Sequence, residues 1–324
     1  MKKIAIFNVG GALSAYVEVE DLKFLVDVGA GNEFSPINDF LLPLAKERAF
    51  PKDQLGKYKI DQLFLSHLDN DHISDFPNFN EYFNPQLLTA PNDHNDILEH
   101  LKVSRDKVPD TEVTQAILEN MRNRTPGRVS TSPNYEEPLA VCDTNNMLLS
   151  YIPPKECEQL DAESEHEYAH YANNISLVVY VRIGDSSILF PGDIMKDGME
   201  YLLENNDLLR SAINELGVDF LVTPHHGLDT SFSESFFKEI KNNKVKLNII
   251  SEKRVQKDDS DSRHDVDPRY YSPGYSEGYN VLNGKDGLQY GIITSLGHIV
   301  IDFDQQTPLV KRCSTNEELI NEFL

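Results

Sequence analysis

Residues 60–72 read IDQLFLSHLDNDH, an apolar stretch of strand length followed at once by His67, Asp69, Asp71 and His72. Strand side chains alternate between two faces, so His67 and Asp69 are expected to point to one side. Asp71 and His72 lie past the bend and are free to face a second cation. Burying these groups without cations would carry a heavy desolvation penalty. The cluster therefore favours a metal or catalytic site over an acidic loop with two structural histidines.

Two later segments have the same construction, an apolar strand and a short turn that ends in a metal-binding side chain. Residues 188–193 read ILFPGD and end in Asp193, and residues 221–227 read LVTPHHG and contain His225 and His226. Further upstream, Asp27 ends an apolar strand before a glycine-rich turn. Strand ends give ligands a rigid support, as a preorganised metal site requires. Each segment alone is weak evidence, but together they indicate one composite site.

The composition sets limits on the class of protein. The chain has 324 residues, of which 40% are hydrophobic and 26% charged, as in soluble proteins of one large or two small domains. Its net charge of −23 opposes nonspecific electrostatic binding to nucleic acid or anionic membranes. Three cysteines without a CxxC pair indicate a reducing compartment. No apolar run is long enough to cross a bilayer. We therefore expect a cytoplasmic protein with no membrane partner.

Hydrophobic periodicity predicts clusters of strands in both halves of the chain, with helices between them. A helical region is predicted over 92–125, and a hairpin over 176–190 around Gly184-Asp185. Residues 291–295 and 298–303 are expected to close the chain as a second hairpin. This order favours a layered α/β sandwich over a doubly wound parallel sheet, which would alternate strand and helix more strictly.

These motifs resemble the metallo-β-lactamase fold superfamily, whose usual hexapeptide is His-x-His-x-Asp-His. The variant His-x-Asp-x-Asp-His is most similar to the ComEC-type branch, the nuclease-like domain of DNA-uptake channel proteins and its stand-alone relatives. That branch also shows Asn-Asn-x-Ser-Leu-Val, as at 173–178, and His-His-Gly followed by a serine, as at 225–227 with Ser231. With no channel-forming segment, the chain is similar to a soluble, stand-alone relative.

The resemblance implies a four-layer αββα sandwich with its site at one edge, between the two sheets. It implies a hydrolase domain over residues 1–310 and a C-terminal tail over 311–324. The segment at about 91–146 is expected to be a helical insertion. Its role is open between a lid over the site and a contact in a homodimer.

The resemblance also implies the metal ligands, which are His67, Asp69, Asp71, His72, Asn174, Asp193 and His226. His67 and Asp69 would bind one cation, Asp71 and His72 the other, and Asp193 both. His226 is preferred to His225 for the second site. The remaining histidine of the superfamily is missing, and Asn174 lies at its place, with Asn173 and His170 as rivals. Asp27 is expected to orient a ligand histidine.

Replacing histidine by Asp69 and Asn174 makes the first site rich in oxygen. Hard oxygen ligands shift preference from zinc toward manganese or magnesium. We therefore expect two divalent cations, manganese or zinc, with magnesium as a third option.

Two cations that share one carboxylate suit an in-line displacement at phosphorus, with water between them as the nucleophile. The first hypothesis is therefore a phosphodiesterase, acting on nucleic acid or on a small nucleotide, with Asp71, His225 and His264 as catalytic residues. His225 would steady negative charge, and His225 or His264 would donate a proton. Lysines within 238–257 would guide the phosphate. The alternatives are a carboxylic ester, thioester or lactam hydrolase, and a regulatory protein with a vestigial site.

Overall fold

The computed structural model describes residues 1–90, 113, 117, 129–130, 147–163, 170–251 and 265–324. Its strands are β1 (Lys2–Ile6), β2 (Ser14–Val19), β3 (Leu22–Val28), β4 (Tyr58–Phe64), β5 (Phe83–Thr89), β6 (Val129–Ser130), β7 (Met147–Ser150), β8 (Val178–Ile183), β9 (Ser186–Phe190), β10 (Phe220–Val222), β11 (Leu247–Ile250), β12 (Tyr279–Leu282), β13 (Leu288–Gln289), β14 (Gly291–Ile293), β15 (His298–Asp302) and β16 (Leu309–Cys313).

The α-helices are α1 (Leu42–Glu47), α2 (Asn70–Ile73), α3 (Phe76–Tyr82), α4 (Pro154–Glu163), α5 (His170–Asn174), α6 (Lys196–Asn205), α7 (Asp207–Ser211), α8 (Glu234–Glu239) and α9 (Asn316–Asn321). Wider π-helical turns cover Pro36–Leu41 and Ala212–Leu216. Short 3₁₀ turns cover Pro224–Gly227, Asp229–Ser231, Lys241–Asn243, Pro268–Tyr271 and Thr294–Leu296.

The described strands form two mixed sheets. The first has ten strands in the order β13-β12-β16-β15-β1-β2-β3-β4-β5-β6, and the second has six in the order β14-β11-β10-β9-β8-β7. The hairpin predicted around Gly184-Asp185 is present as the antiparallel pair β8 and β9. The two sheets meet face to face through the side chains of one hydrophobic cluster, as in a sandwich.

Alternation along the strands shows that each sheet is covered on both faces. In β2, Val17 faces the other sheet while Tyr16 packs outward against the helices, and in β10, Phe220 and Leu221 divide in the same way. Strands with apolar residues on both faces need a layer on each side. The four-layer αββα sandwich predicted from the sequence is therefore confirmed.

Parallel pairing positions the candidate ligands. Strand β3 runs parallel to β4 in the first sheet, and β9 and β11 flank β10 in parallel in the second. Parallel strands place their carboxyl ends at the same edge of a sheet, and ligands in α/β sheets bind outside those ends. Asp27 and His67 lie at this edge of the first sheet, and Asp193 and His226 follow strands of the second sheet.

Three features differ from the sequence-based expectations or lie outside what is described. Residues 311–324 are no tail, because β16 pairs with β15 and Phe323 is fully buried. The closing hairpin predicted for 291–303 is wrong, since β14 joins the second sheet and β15 the first. The insertion predicted at 91–146 lies outside the described residues, apart from Val113, Ile117 and 129–130.

Among the described residues, no helix combines the length and apolar character that a bilayer crossing requires.

Candidate metal centre

The hexapeptide forms a tight turn between β4 and helix α2. The helix begins at Asn70, directly after Asp69, whose carbonyl oxygen accepts the N–H of His72 at 2.9 Å. His67, Asp69 and His72 are buried, while Asp71 is half-buried. The turn thus gathers four ionisable side chains in a place where only strong local partners or bound cations can stabilise them.

Asp193 lies at the centre of the cluster. Its Oδ1 is 3.2 Å from His72 Nε2, while its Oδ2 is 3.8 Å from His67 Nε2 and 3.7 Å from His226 Nε2. His67 Nε2 is in turn 3.5 Å from Asp69 Oδ2. One carboxylate therefore reaches a histidine from each of the two predicted metal sites. This is the position that a bridging ligand requires.

The second of these sites is the more complete. Ligand atoms of Asp71, His72, Asp193 and His226 all lie within 4.8 Å of one another. Two nitrogens and two carboxylates at this separation suit a divalent cation such as zinc or manganese. The structure thus brings the predicted ligands of this site together.

The hydrogen bonds of the histidines at Nδ1 direct Nε2 of His72 and His226 toward the carboxylates of the cluster. His226 Nδ1 lies 3.0 Å from the carbonyl oxygen of Ser251, and His72 Nδ1 lies 2.8 Å from Asp27 Oδ2. Because both partners only accept, Nδ1 is the donor in each case and a neutral ring keeps its lone pair on Nε2. His67 Nε2 is buried with no hydrogen-bond partner among the residues that the structure describes. These donors fit divalent cations, and the rings are held as metal-binding histidines usually are.

Asp27 and Ser66 anchor the hexapeptide. Asp27 Oδ1 accepts the N–H of Ser66 at 2.6 Å, and its Oδ2 accepts the Ser66 hydroxyl at 2.7 Å. Ser66 Oγ also lies 3.1 Å from His67 Nδ1. Asp27 is placed as the resemblance implied, orienting His72 directly and His67 through Ser66. Ser66 itself was not singled out from the sequence, although its position directly before His67 is a usable signal.

Backbone conformation at the site is unusual. Asp27, His225 and His226 all have left-handed conformations, with φ of 58°, 45° and 57°. Such φ values cost free energy in residues other than glycine and concentrate where function demands them. Gly29 is required because a Cβ there would lie 1.9 Å from the carbonyl oxygen of Asp71. Close packing therefore holds the ligand-bearing turns in these strained conformations.

The charges of the cluster are mutually dependent. Burial disfavours the ionised form of Asp193, but His72 and His226 outweigh it and hold the pKa of this carboxyl well below its ordinary value. Burial likewise opposes the imidazolium of His72, yet Asp193 and Asp27 raise the pKa of that ring well above its usual value. In the metal-free protein, protons on histidine thus compensate the carboxylates, and bound cations would take their place.

His225 has different surroundings from His226. Its backbone N–H donates to the carbonyl oxygen of Gly192 at 3.1 Å, which holds it beside Asp193. Its Nδ1 is buried without a hydrogen-bond partner in the described part of the chain, and burial lowers the pKa of the ring despite nearby Asp193. Burial therefore favours the neutral form of the His225 ring. The preference for His226 as the ligand agrees with this geometry.

Asn174 is not placed as a ligand. Its Oδ1 accepts the N–H of Met195 at 2.9 Å, and its Nδ2 donates to Asp197 Oδ1 at 3.2 Å. Both ends of the amide are thus used in fixing the loop after Asp193. Asn174 therefore stays a predicted ligand only, and its amide oxygen already accepts a backbone N–H.

Some predicted residues are elsewhere or outside the described chain. His264 and the side chain of His170 are not described. Lys246 pairs with Asp219 at 3.0 Å, and both precede the strands whose other ends carry the site. Lys246 therefore lies at the opposite edge of the sheet, where it does not guide a substrate phosphate.

Ser176 is a second residue that sequence reasoning missed. Its hydroxyl accepts the backbone N–H of Asp193 at 3.0 Å and lies 3.5 Å from His67 Nδ1. Gly192 is needed beside it, since a Cβ there would meet both Ser66 Cβ and Ser176 Cβ at under 3.0 Å. The serine of the Asn-Asn-x-Ser motif therefore links the two sheets at the site.

Comparison with known proteins supports the superfamily that the motifs indicate. The family model described as the metallo-β-lactamase superfamily matches residues 8–136, which include the hexapeptide but less than half of the chain. The chain thus has the metallo-β-lactamase fold, while the ComEC-type branch stays a prediction. No curated protein matches the sequence.

Solved structures show distant likenesses. A candidate metallo-β-lactamase from Thermotoga maritima is 16% identical, with a TM-score of 0.39 and coverage of 69% of this chain and 97% of its own. A metallo-β-lactamase fold protein from Bacillus subtilis is 10% identical, with a TM-score of 0.39 and coverages of 76% and 84%. A metallo hydrolase from the archaeon Ignicoccus hospitalis is 12% identical, with a TM-score of 0.40 and coverages of 82% and 88%.

Proposed function

We propose that this protein is a hydrolase that uses two divalent cations to cleave phosphodiesters. The position of Asp193 carries the proposal, because its two oxygens approach His67, His72 and His226 together. Three aspartates and three histidines around one point make an oxygen-rich set suited to manganese as well as zinc. The substrate class rests on the predicted choice of oxygen ligands, above all on Asp69.

Two bound cations would supply an acidified water and a positive field for the attacking and leaving oxygens. The chain itself contributes orientation. Asp27 and Ser66 hold the histidine rings of the hexapeptide. Asp193, which follows a strand of the second sheet, contacts His72 of the hexapeptide and so connects the two sheets at the site. Preorganised donors of this kind need no rearrangement as charge develops on the substrate.

His225 and Asp71 are the proposed catalytic residues at the mouth of the site. Because burial favours the neutral form of His225, its proposed role is to donate an N–H hydrogen bond to a substrate oxygen rather than to act as a cationic acid. Asp71 carries a hydrogen bond with His226 at 3.2 Å and is the more exposed of the cluster carboxylates. It is therefore the carboxylate placed to accept a proton from water.

The substrate class is tested with two matched dye esters. Metal-stripped protein is loaded in turn with manganese, zinc or magnesium and assayed on bis(p-nitrophenyl) phosphate and on p-nitrophenyl acetate. We expect turnover of the phosphodiester, fastest with manganese, and little turnover of the acetate. Faster hydrolysis of the carboxylic ester would favour the alternative hydrolase class instead.

Asp193→Asn tests whether the centre is functional. Removing the central charge should lower kcat/KM on the phosphodiester by at least about a hundredfold, since even indirect partners of metal ligands cost 10–100-fold. Asp207→Asn is the matched control, because Asp207 is exposed on a surface helix. Unchanged phosphodiesterase activity in the Asp193 variant would mean that catalysis does not depend on this carboxylate, whereas a wild type that retains metal weakly and shows no activity would favour a regulatory protein with a vestigial site.

A further inference from the structure

Neighbouring asparagines in helix α5 differ in how their amides are satisfied. Asn174 is fully buried and both ends of its amide hydrogen-bond, to Met195 and to Asp197. It also packs tightly on helix α6, where a Cβ added to Gly198 would lie 2.1 Å from its Oδ1. Asn174 is therefore a structural residue of the loop between β9 and α6.

Asn173 is buried as well, with 3% of its surface exposed, but its amide is poorly satisfied. Its Nδ2 donates only to the thioether sulfur of Met195 at 3.6 Å, and its Oδ1 has no hydrogen-bond partner among the described residues. Thioether sulfur is a weak acceptor. An amide buried in this state carries a desolvation penalty unless something else binds it.

The contacts of Asn173 lie between the two segments that carry first-site ligands. The backbone carbonyl oxygen of Asn173 accepts the N–H of Ser176 at 3.0 Å. Ser176 in turn accepts the N–H of Asp193 and lies 3.5 Å from His67 Nδ1. Met195, which meets the Asn173 amide, is two residues beyond Asp193. Asn173 is thus connected to His67 and Asp193 through Ser176.

We propose that Asn173, through Oδ1, supplies the ligand that the first metal site otherwise lacks beside His67 and Asp69. The inference rests on the proposed metal dependence of the function. A neutral amide oxygen is a hard ligand, so this choice reinforces the preference for manganese or magnesium over zinc. It also explains why the buried amide oxygen Oδ1 of Asn173 has no hydrogen-bond donor among the described residues.

Asn173→Leu and Asn174→Leu form a matched pair, since both replace an amide by an apolar group of similar volume. Metal-free protein is unfolded by urea, and manganese is titrated by calorimetry without any substrate. We expect Asn173→Leu to be at least as stable as the wild type without metal, yet to bind one of two manganese ions at least about tenfold more weakly. Asn174→Leu should lose metal-free stability, because its two hydrogen-bond partners stay buried.

Asn173→His adds a rescue arm. A nitrogen donor at this position should restore tight binding of the second metal ion and shift the metal preference from manganese toward zinc. The inference is overturned if Asn173→Leu binds two manganese ions as the wild type does, if it is destabilised like Asn174→Leu, or if the wild type binds fewer than two. A wild type that binds two ions but cleaves no phosphodiester defeats the proposed function alone.

Discussion

Asp69 stands where the usual superfamily hexapeptide has histidine, and the structure buries it beside His67. A carboxylate at this point adds a negative charge and a hard oxygen to the first site. Nitrogen and sulfur donors favour zinc, whereas oxygen donors suit manganese and magnesium. We therefore expect this single residue to influence the choice of metal.

Asp69→His should reverse that choice. We expect the ratio of zinc to manganese affinity to rise at least about tenfold, measured by competition between the two metals for the stripped protein. Asp207→His, on the surface, is the control for the added imidazole. An unchanged ratio would mean that Asp69 does not contact the first metal.

The two asparagines show where residue-level reasoning from sequence ends. Asn173 and Asn174 are adjacent in helix α5, so their side chains point about 100° apart. The motif marks the pair, but only the packing of Met195 and Gly198 shows which amide is engaged. The sequence-based choice of Asn174 over Asn173 was made without this packing.

At the scale of elements, the strands that lead into ligands were predictable, because each is an apolar run that stops at a polar turn. The division of the C-terminal strands between the two sheets was not predictable. Residues 291–303 look like a hairpin since two short apolar runs flank Gly297, yet Gly297 joins strands of opposite sheets. Periodicity reports that a strand is buried, and not which sheet receives it.

The C-terminal helix offers a test of this correction. Phe323 is fully buried and its ring lies 5.5 Å from Tyr16 and 5.3 Å from Phe40, measured between ring centres. Phe323→Ala should lower the free energy of unfolding by about 3–5 kcal/mol, as large truncations in a core do. Leu324→Ala, at an exposed position, should change it by less than about 0.5 kcal/mol. Equal small effects on urea unfolding would mean that 311–324 is a dispensable tail.

At the scale of the whole molecule, His298 couples stability to pH. Its ring packs 4.4 Å from Phe34, and its Nδ1 accepts the N–H of Asn8 at 3.0 Å. Burial lowers the pKa of His298 to about 4, against a partial compensation by Asn316. The unfolded chain therefore binds this proton first, and a protonated Nδ1 could no longer accept from Asn8.

The His298 contribution should be complete above pH 6.5 and disappear as the pH falls toward 4, a loss of up to about 3 kcal/mol. His298→Asn keeps an acceptor for Asn8 but does not titrate. We expect urea unfolding of the variant to depend less on pH over this window than that of the wild type, with EDTA present to exclude metal effects. Parallel pH profiles would show that His298 is not the responsible group.

The amino-acid sequence by itself determined the layered fold and the turns that carry the candidate ligands, the hexapeptide among them. These features depend on local periodicity and on residues that lie close together in the chain. Only the tertiary structure decided the central position of Asp193, the hydrogen bonds of the Asn174 amide and the sheet that receives the C-terminal strand. Each of these depends on distances between residues far apart in the chain. Such distances follow from how the two sheets pack, which no local pattern encodes.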